Sequence, residues 1–247
     1  MAINLFVTGT DTGVGKTYIS TGLLRALTQA GYTTLGVKPI ASGAFRHNNI
    51  LYNQDALDLN RASSIALDYS LTNHFVFEEP IAPHLAAKNI GISLSVDLIK
   101  SRLDKTIKIP CDIHLVEGIG GWSVPINDHE TMADLVLYYK MHVILVVGMR
   151  LGCLNHALLT YQAIQQKNLP FIGWIANCFE QNDLNVDDVI TSLKHWLKIP
   201  FIGKMPFGEK FEDVIDIDKF TSQSLYHRTK KPVVCHRDIL GVNDPTD

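Results

Sequence analysis

Cysteine is scarce in this 247-residue chain, and what there is lies scattered. Cys111, Cys153, Cys178 and Cys235 are far apart and never form the C-x-x-C spacing of a zinc site. They read as reduced, mostly buried thiols. No apolar stretch reaches the about 20 residues that a membrane-spanning helix needs. Long basic runs are also missing, and the formal net charge is -3, so neither a membrane nor charge-driven nucleic-acid binding is expected. The first residues, Met-Ala-Ile-Asn-Leu-Phe-Val-Thr, lack the basic region and small-residue cleavage site of a secretion signal, and a cytoplasmic location is the expectation. Internal repeats and low-complexity linkers are absent.

Apolar residues are plentiful. Hydrophobic types make up 46% and charged types 19%, enough for one large buried core. Ile3 to Thr8 is a short apolar run that leads through a Gly/Thr-rich loop into a helical pattern over Lys16–Gln29. Leu23, Leu24 and Leu27 form its stripe, and Gly31 stands where a helix ends. Thr33 to Pro39 reads as the next strand. Strand, helix, strand is a βαβ unit with a right-handed crossover. The alternation continues with a helix over 55–66, a strand over 113–117 and a helix over 131–139. A buried strand over 143–147 and a helix over 155–166 come next, then a strand over 171–176, a helix over 186–197 and a strand over 201–204. This predicts an α/β fold, a doubly wound, mostly parallel sheet flanked by helices, over residues 1–220 as a single P-loop domain. Residues 221–247 lack a clear period and read as a C-terminal extension with no assignable role.

The first loop, Gly9-Thr10-Asp11-Thr12-Gly13-Val14-Gly15-Lys16-Thr17, carries the strongest chemical signal. Phosphates need several donors converging from one side, and a Gly-rich turn at a helix start supplies them as backbone N–H groups. Gly13 and Gly15 permit close approach. Lys16 can reach the β- and γ-phosphates, and the Thr17 hydroxyl can bind Mg²⁺. The strict pattern G-x-x-x-x-G-K-[ST] is broken, because Thr10 stands at the first Gly position with Gly9 one residue earlier. The flanking strand and helix still identify a nucleotide-triphosphate loop. Partition-type ATPases with a second signature lysine carry it where this chain has Asp11.

In open α/β sheets the ligand site lies beyond the carboxyl ends of the strands. The second strand delivers Lys38 there, followed by Pro39 and Ser42, with Asp55 after a loop. A lysine is rarely buried for packing alone. The 113–117 strand ends on Glu117, a carboxylate placed to bind a metal or orient water, followed by Gly118-Ile119-Gly120-Gly121. Asn177 follows the 171–176 strand, and Pro206 with Phe207 follows the last.

Together these stretches resemble the dethiobiotin synthetase family. The resemblance rests on Phe6-Val-Thr-Gly-Thr-Asp-Thr12 with Val14-Gly-Lys-Thr17, Lys38-Pro-Ile-Ala-Ser-Gly43, and Asp55-Ala56. It continues through Val116-Glu-Gly118 with Gly120-Gly-Trp122, Val146-Val-Gly148, Leu151-Gly-Cys-Leu-Asn-His-Ala157, and Gly173-Trp174 with Asn177. It covers roughly residues 2–208. It implies an ATP-dependent cyclo-ligase that carboxylates 7,8-diaminononanoate with CO₂ and closes the ring of dethiobiotin. A carbamate and a carbamic–phosphoric anhydride would be the intermediates.

The resemblance also implies roles. Lys38 and Lys16 would be catalytic. Thr17, Asp55 and Glu117 would hold Mg²⁺, an oxygen set suited to that ion. Gly13, Val14, Gly15, Lys16, Thr17, Gly118 and Gly120 would bind ATP, with Asn177 reading the adenine and Pro206 and Phe207 near the base. Thr12 and Ser42 would hold the diamine or carbamate. Leu151, Gly152 and Asn155 would contact the substrate tail from the partner in a homodimer with shared active sites. This chain departs from relatives in carrying Gly13 in place of an acid, Ile119 in the glycine run, and Arg150 where a Lys is common. Two other readings start from the same loop. An amide-forming ligase needs a glutaminase domain with a nucleophilic Cys, for which the chain is too short. A nucleotide-switched partition-type ATPase needs the lysine that Asp11 replaces.

Overall fold

The computed structural model describes residues 2–178, 185–217, 220 and 221. The expected C-terminal extension beyond Thr221, and Cys235 with it, lies outside the described residues.

The chain opens with β1 (Ile3–Gly9), the phosphate loop, α1 (Lys16–Gln29) and β2 (Thr34–Val37). Then come β3 (Ile40–Ala41), the hairpin β4 (Phe45–His47) and β5 (Ile50–Tyr52), α2 (Gln54–Ala62), α3 (Tyr69–Thr72), β6 (Phe75–Val76), α4 (Pro83–Asn89) and α5 (Val96–Ile107). The remainder is β7 (Ile113–Glu117), α6 (Met132–Tyr139), β8 (His142–Gly148), α7 (Cys153–Gln165), β9 (Phe171–Asn177), α8 (Val186–Trp196), β10 (Phe201–Met205) and α9 (Phe211–Val214).

Six strands form one sheet in the order β10-β9-β8-β1-β7-β2, and every neighbouring pair is parallel. The chain moves from β1 out to β2, returns to β7 beside β1, then crosses β1 to β8 and beyond. The progression therefore reverses around β1, and the loop after β1 sits where an open α/β sheet forms its crevice. Strand alternation sends Ile3, Leu5 and Val7 into a core with Ile19, Leu23, Leu24 and Leu27 of α1. Phe6, Val37 and Val116 point to the other face, under Ile99 and Leu103 of α5 and Leu135 and Val136 of α6. Leu145, Val147 and Trp174 pack under α7 and α8. Fully burying a side chain of this size stabilises by about 2 kcal/mol, so α1 is anchored mainly by its apolar stripe.

Local chemistry explains the boundaries. After α1, Gly31 N–H donates to Thr28 O and Tyr32 N–H to Leu27 O, the paired bonds that close a helix around a left-handed residue. The second strand is shorter than expected: β2 ends at Val37, and Lys38 N–H leaves the sheet to donate to Thr72 O at 2.8 Å. The chain then pairs β3 with β6 in a separate two-stranded sheet. Asn53 caps α2, its Oδ1 accepting Ala56 N–H. That helix stops four residues before the expected end, at Ala62, because Ser63 Oγ both donates to Leu59 O and accepts Gly36 N–H. The elements between 67 and 112 and the β4–β5 hairpin were not expected from the sequence. Ser95 caps α5, its hydroxyl accepting Leu98 N–H, and α4 carries Pro83 in its first turn. The hairpin turns through Asn48 and Asn49, both in the left-handed region.

Candidate active site

The strand-end residues meet in one place. A cavity of about 720 Å³ is walled on its polar side by the phosphate loop, Lys38, Ser42 and Asp55. The loop is anchored to the sheet by Thr10 N–H, which donates to Val146 O at 3.0 Å. Gly15 caps the start of α1 with φ at 84°, a conformation that favours glycine. A Cβ there would come 2.1 Å from Asn177 Nδ2. That amide is buried and donates to Val14 O at 2.9 Å, so Asn177 supports the loop from behind.

Charge is concentrated on few atoms. Lys38 Nζ is 2.6 Å from both Asp55 Oδ2 and Glu117 Oε1. Lys38 is 4% exposed and Glu117 0%, so that pair is dehydrated, while Asp55 stands at its wetter edge. Burial alone would lower the Lys38 pKa, but Glu117 and Asp55 overcome it and hold the ammonium above its ordinary value. For Asp55 burial pushes the pKa up, yet Lys38, a Thr17 contact and Lys16 bring it below the usual carboxylate range. Among the described residues no acidic side chain bonds Lys16 directly. Its Nζ donates to the backbone O of Asp11 at 3.0 Å. Burial, then the neighbouring Lys38 charge, lowers its pKa to about 8.

The oxygen set fits a hard divalent cation. Thr17 Oγ1 donates to Glu117 Oε1 at 2.9 Å, which brings hydroxyl, Glu117 and, through Lys38, Asp55 into one cluster. Glu117 Oε2 is buried with no hydrogen-bond partner, an uncommon state for a carboxylate oxygen and one that a cation would relieve. Among the described residues, no group of three or more His, Cys, Asp and Glu gathers as a metal cluster. Two carboxylates and a hydroxyl suit Mg²⁺, which keeps part of its water shell. Ser42 Oγ is likewise buried without a partner, at the cavity wall.

Of the other expected residues, Thr12, Gly13 and Gly120 line the same cavity. Gly120 lies against Thr12: a Cβ built on it would be 3.5 Å from Thr12 Oγ1. Gly118 directly follows Glu117 at the end of β7 and packs on Phe6. Leu151, Gly152 and Asn155 are outside that wall, exposed at the start of α7, with Leu151 93% accessible. Pro206 and the exposed Phe207 follow β10. Sequence reasoning overlooked the apolar side of the cavity, formed by Pro80 to Pro83 with Ile119, Val124 and Pro125. The Pro-Ile-Ala-Pro run was the available signal. It also overlooked the ion pair that Arg150 makes with Asp11.

Comparison with known proteins follows the same outline. The model of the AAA domain family matches residues 3–214. The ATP-dependent dethiobiotin synthetase BioD of Cellvibrio japonicus is 44% identical over 201 residues, 81% of this chain and 88% of that protein. The protein of the same name from Wigglesworthia glossinidia brevipalpis is 38% identical over 215 residues, covering 87% and 95%. ATP-dependent dethiobiotin synthetase BioD 1 of Escherichia coli K12 is 42% identical over 207 residues, covering 84% and 92%. No helix among the described residues is long and apolar enough to cross a membrane.

Proposed function

Since the chain belongs to the family of ATP-dependent dethiobiotin synthetases, we propose that it couples ATP cleavage to carboxylation and ring closure of 7,8-diaminononanoate. The observation that carries this reading is the buried Lys38 ammonium, set beside Lys16 in a cavity with one polar and one apolar side. A nucleotide-switched partition-type ATPase takes its second lysine from the phosphate loop itself, where this chain has Asp11, whereas Lys38 comes from the end of the second strand. A second dehydrated cation serves a reaction that brings another anion to the γ-phosphate.

The bonds change in three steps. One amine adds to the carbon of CO₂ and loses a proton, giving a carbamate. A carbamate oxygen attacks the γ-phosphorus of ATP, the bond to the β-phosphate oxygen breaks, and ADP leaves. The second amine attacks the carbonyl carbon of the resulting carbamic–phosphoric anhydride, inorganic phosphate departs, and the ureido ring closes.

The chain's residues serve these steps by placement and charge. Lys16 and the N–H groups of Gly13 to Thr17 grip the phosphates at the start of α1. Lys38 balances the carbamate and the transferring phosphoryl group, held in place by Asp55 and Glu117. Thr12 and the unpartnered Ser42 hydroxyl hold the diamine or its carbamate. The wall of Pro80 to Pro83, Ile119 and Val124 takes the alkyl chain and excludes water from the anhydride. Thr17, Asp55 and Glu117 hold Mg²⁺, which when bound neutralises phosphate charge. Asn177, Pro206 and Phe207 border the base.

The exposed Leu151, Gly152 and Asn155 reach the substrate tail of a second copy, so the working unit is a homodimer. The enzyme works in the cytoplasm. Phosphate release in the presence of ATP, Mg²⁺ and bicarbonate tests the reading. It is expected only when the diamine is added, and release of equal size without the diamine supports a nucleotide-switched ATPase instead.

A further inference from the structure

Asp11 is an odd residue for its place: a carboxylate inside a loop that receives a polyanion. The structure gives each of its oxygens a task. The backbone O accepts Lys16 Nζ at 3.0 Å, Oδ1 accepts Thr12 N–H at 2.7 Å, and Oδ2 accepts Arg150 Nη2 at 2.5 Å. The carboxylate acts on Lys16 against burial and the Lys38 charge, which still hold that amine below its ordinary pKa. An unpaired charge in this position would repel incoming phosphates.

Arg150 arrives from far along the chain, 139 residues away, in the turn between β8 and α7. That turn is stiff. Arg150 N–H donates to Gly148 O, and its own O accepts Cys153 N–H at the first residue of α7. The guanidinium is therefore presented from a fixed frame, and a planar fork suits a carboxylate.

We propose that Arg150 is a positioning residue for nucleotide binding: it pairs with the Asp11 carboxylate and cancels a charge that would otherwise face the incoming phosphates. This rests on the loop being the nucleotide grip of the proposed function, but not on the identity of the second substrate. The two side chains are 36% and 45% exposed, so water screens the pair and its effect is moderate.

The test is calorimetric titration of Mg–ATP into the full chain, without diamine, for the native protein, Arg150→Ala, Arg150→Lys, Asp11→Asn and the double variant Asp11→Asn/Arg150→Ala. Arg150→Ala is expected to weaken ATP by about five-fold, the equivalent of about 1 kcal/mol. Arg150→Lys keeps most of the affinity. In the double variant affinity returns to within about two-fold of the native value, since the asparagine still accepts Thr12 N–H and no longer repels phosphate. Melting temperatures stay together across the set. Native affinity in Arg150→Ala overturns the proposal, and so does a double variant as weak as that single one. If the affinity pattern appears but phosphate release ignores the diamine, the Arg150 inference stands and the dethiobiotin reading fails. The reverse pair of results overturns the inference alone.

Discussion

Replacing Lys38 with methionine keeps an unbranched side chain one atom shorter and removes its charge. Two effects then separate. On turnover, removing one preorganised charge from phosphoryl and carbamate transfer costs about 10²- to 10³-fold. On stability, Glu117, which is 0% exposed, loses its ammonium partner at 2.6 Å. Breaking a buried pair from one side costs about 3–5 kcal/mol. The low end applies, because Asp55 is 40% exposed and stays hydrated, and the Thr17 hydroxyl still donates to Glu117. A loss of about 3 kcal/mol lowers the melting temperature of a domain this size by about 6–12 °C. The double variant Lys38→Met/Glu117→Gln leaves no buried charge at that contact and should regain most of the melting temperature while staying inactive. The assay pairs thermal melting with diamine-dependent phosphate release. Near-native turnover in Lys38→Met, or a double variant as unstable as the single one, refutes the account of the triad.

Three further outcomes follow from the geometry. Gly15→Ala places a Cβ 2.1 Å from Asn177 Nδ2 at a φ of 84°, so ATP titration should show binding lost, and native affinity would contradict the packed loop. Lys16, with a pKa of about 8, loses its charge as pH rises through that value. The kcat/KM for ATP should therefore fall above about pH 8, and Lys38→Met should move the shoulder of ATP affinity upward by removing a neighbouring charge. His74 is lowered by burial from 6.5 to about 4, against a bond to Ser70 O. The unfolded chain thus binds its proton first: its stabilisation is complete above about pH 6.5 and is lost as pH falls toward 4. Melting curves over that window should flatten in His74→Gln, and an unchanged slope would exclude His74 as the cause.

Much of this arrangement was legible because apolar period and strand-end position are local signals. α1 over Lys16–Gln29 and β7 over Ile113–Glu117 have the bounds their patterns implied. The strand-end rule also named Lys38, Ser42 and Asp55, which share one cavity with the phosphate loop. The stretch from 67 to 112 was harder. Its short elements α3, β6 and α4 span at most seven residues, too few for a period to show. α5 was readable from Ser95 and the spacing of Val96, Ile99 and Leu103, and was overlooked. The β4–β5 hairpin has Phe45, Arg46 and His47 all exposed, so no alternation marks it. Contacts across the chain stay invisible to local patterns. Neither the Asp11–Arg150 pair nor the meeting of Pro80 with Val124 at one wall follows from spacing.

ATP cleavage is proposed here to be harnessed to closing a ureido ring. Labelled bicarbonate, ATP, Mg²⁺ and 7,8-diaminononanoate test it most directly, with phosphate release and label in the product counted in the same reaction. One labelled carbon is expected in dethiobiotin for each phosphate released, and neither product without the diamine. Phosphate released at the same rate without the diamine, or released with it while no label enters a ring product, contradicts the account.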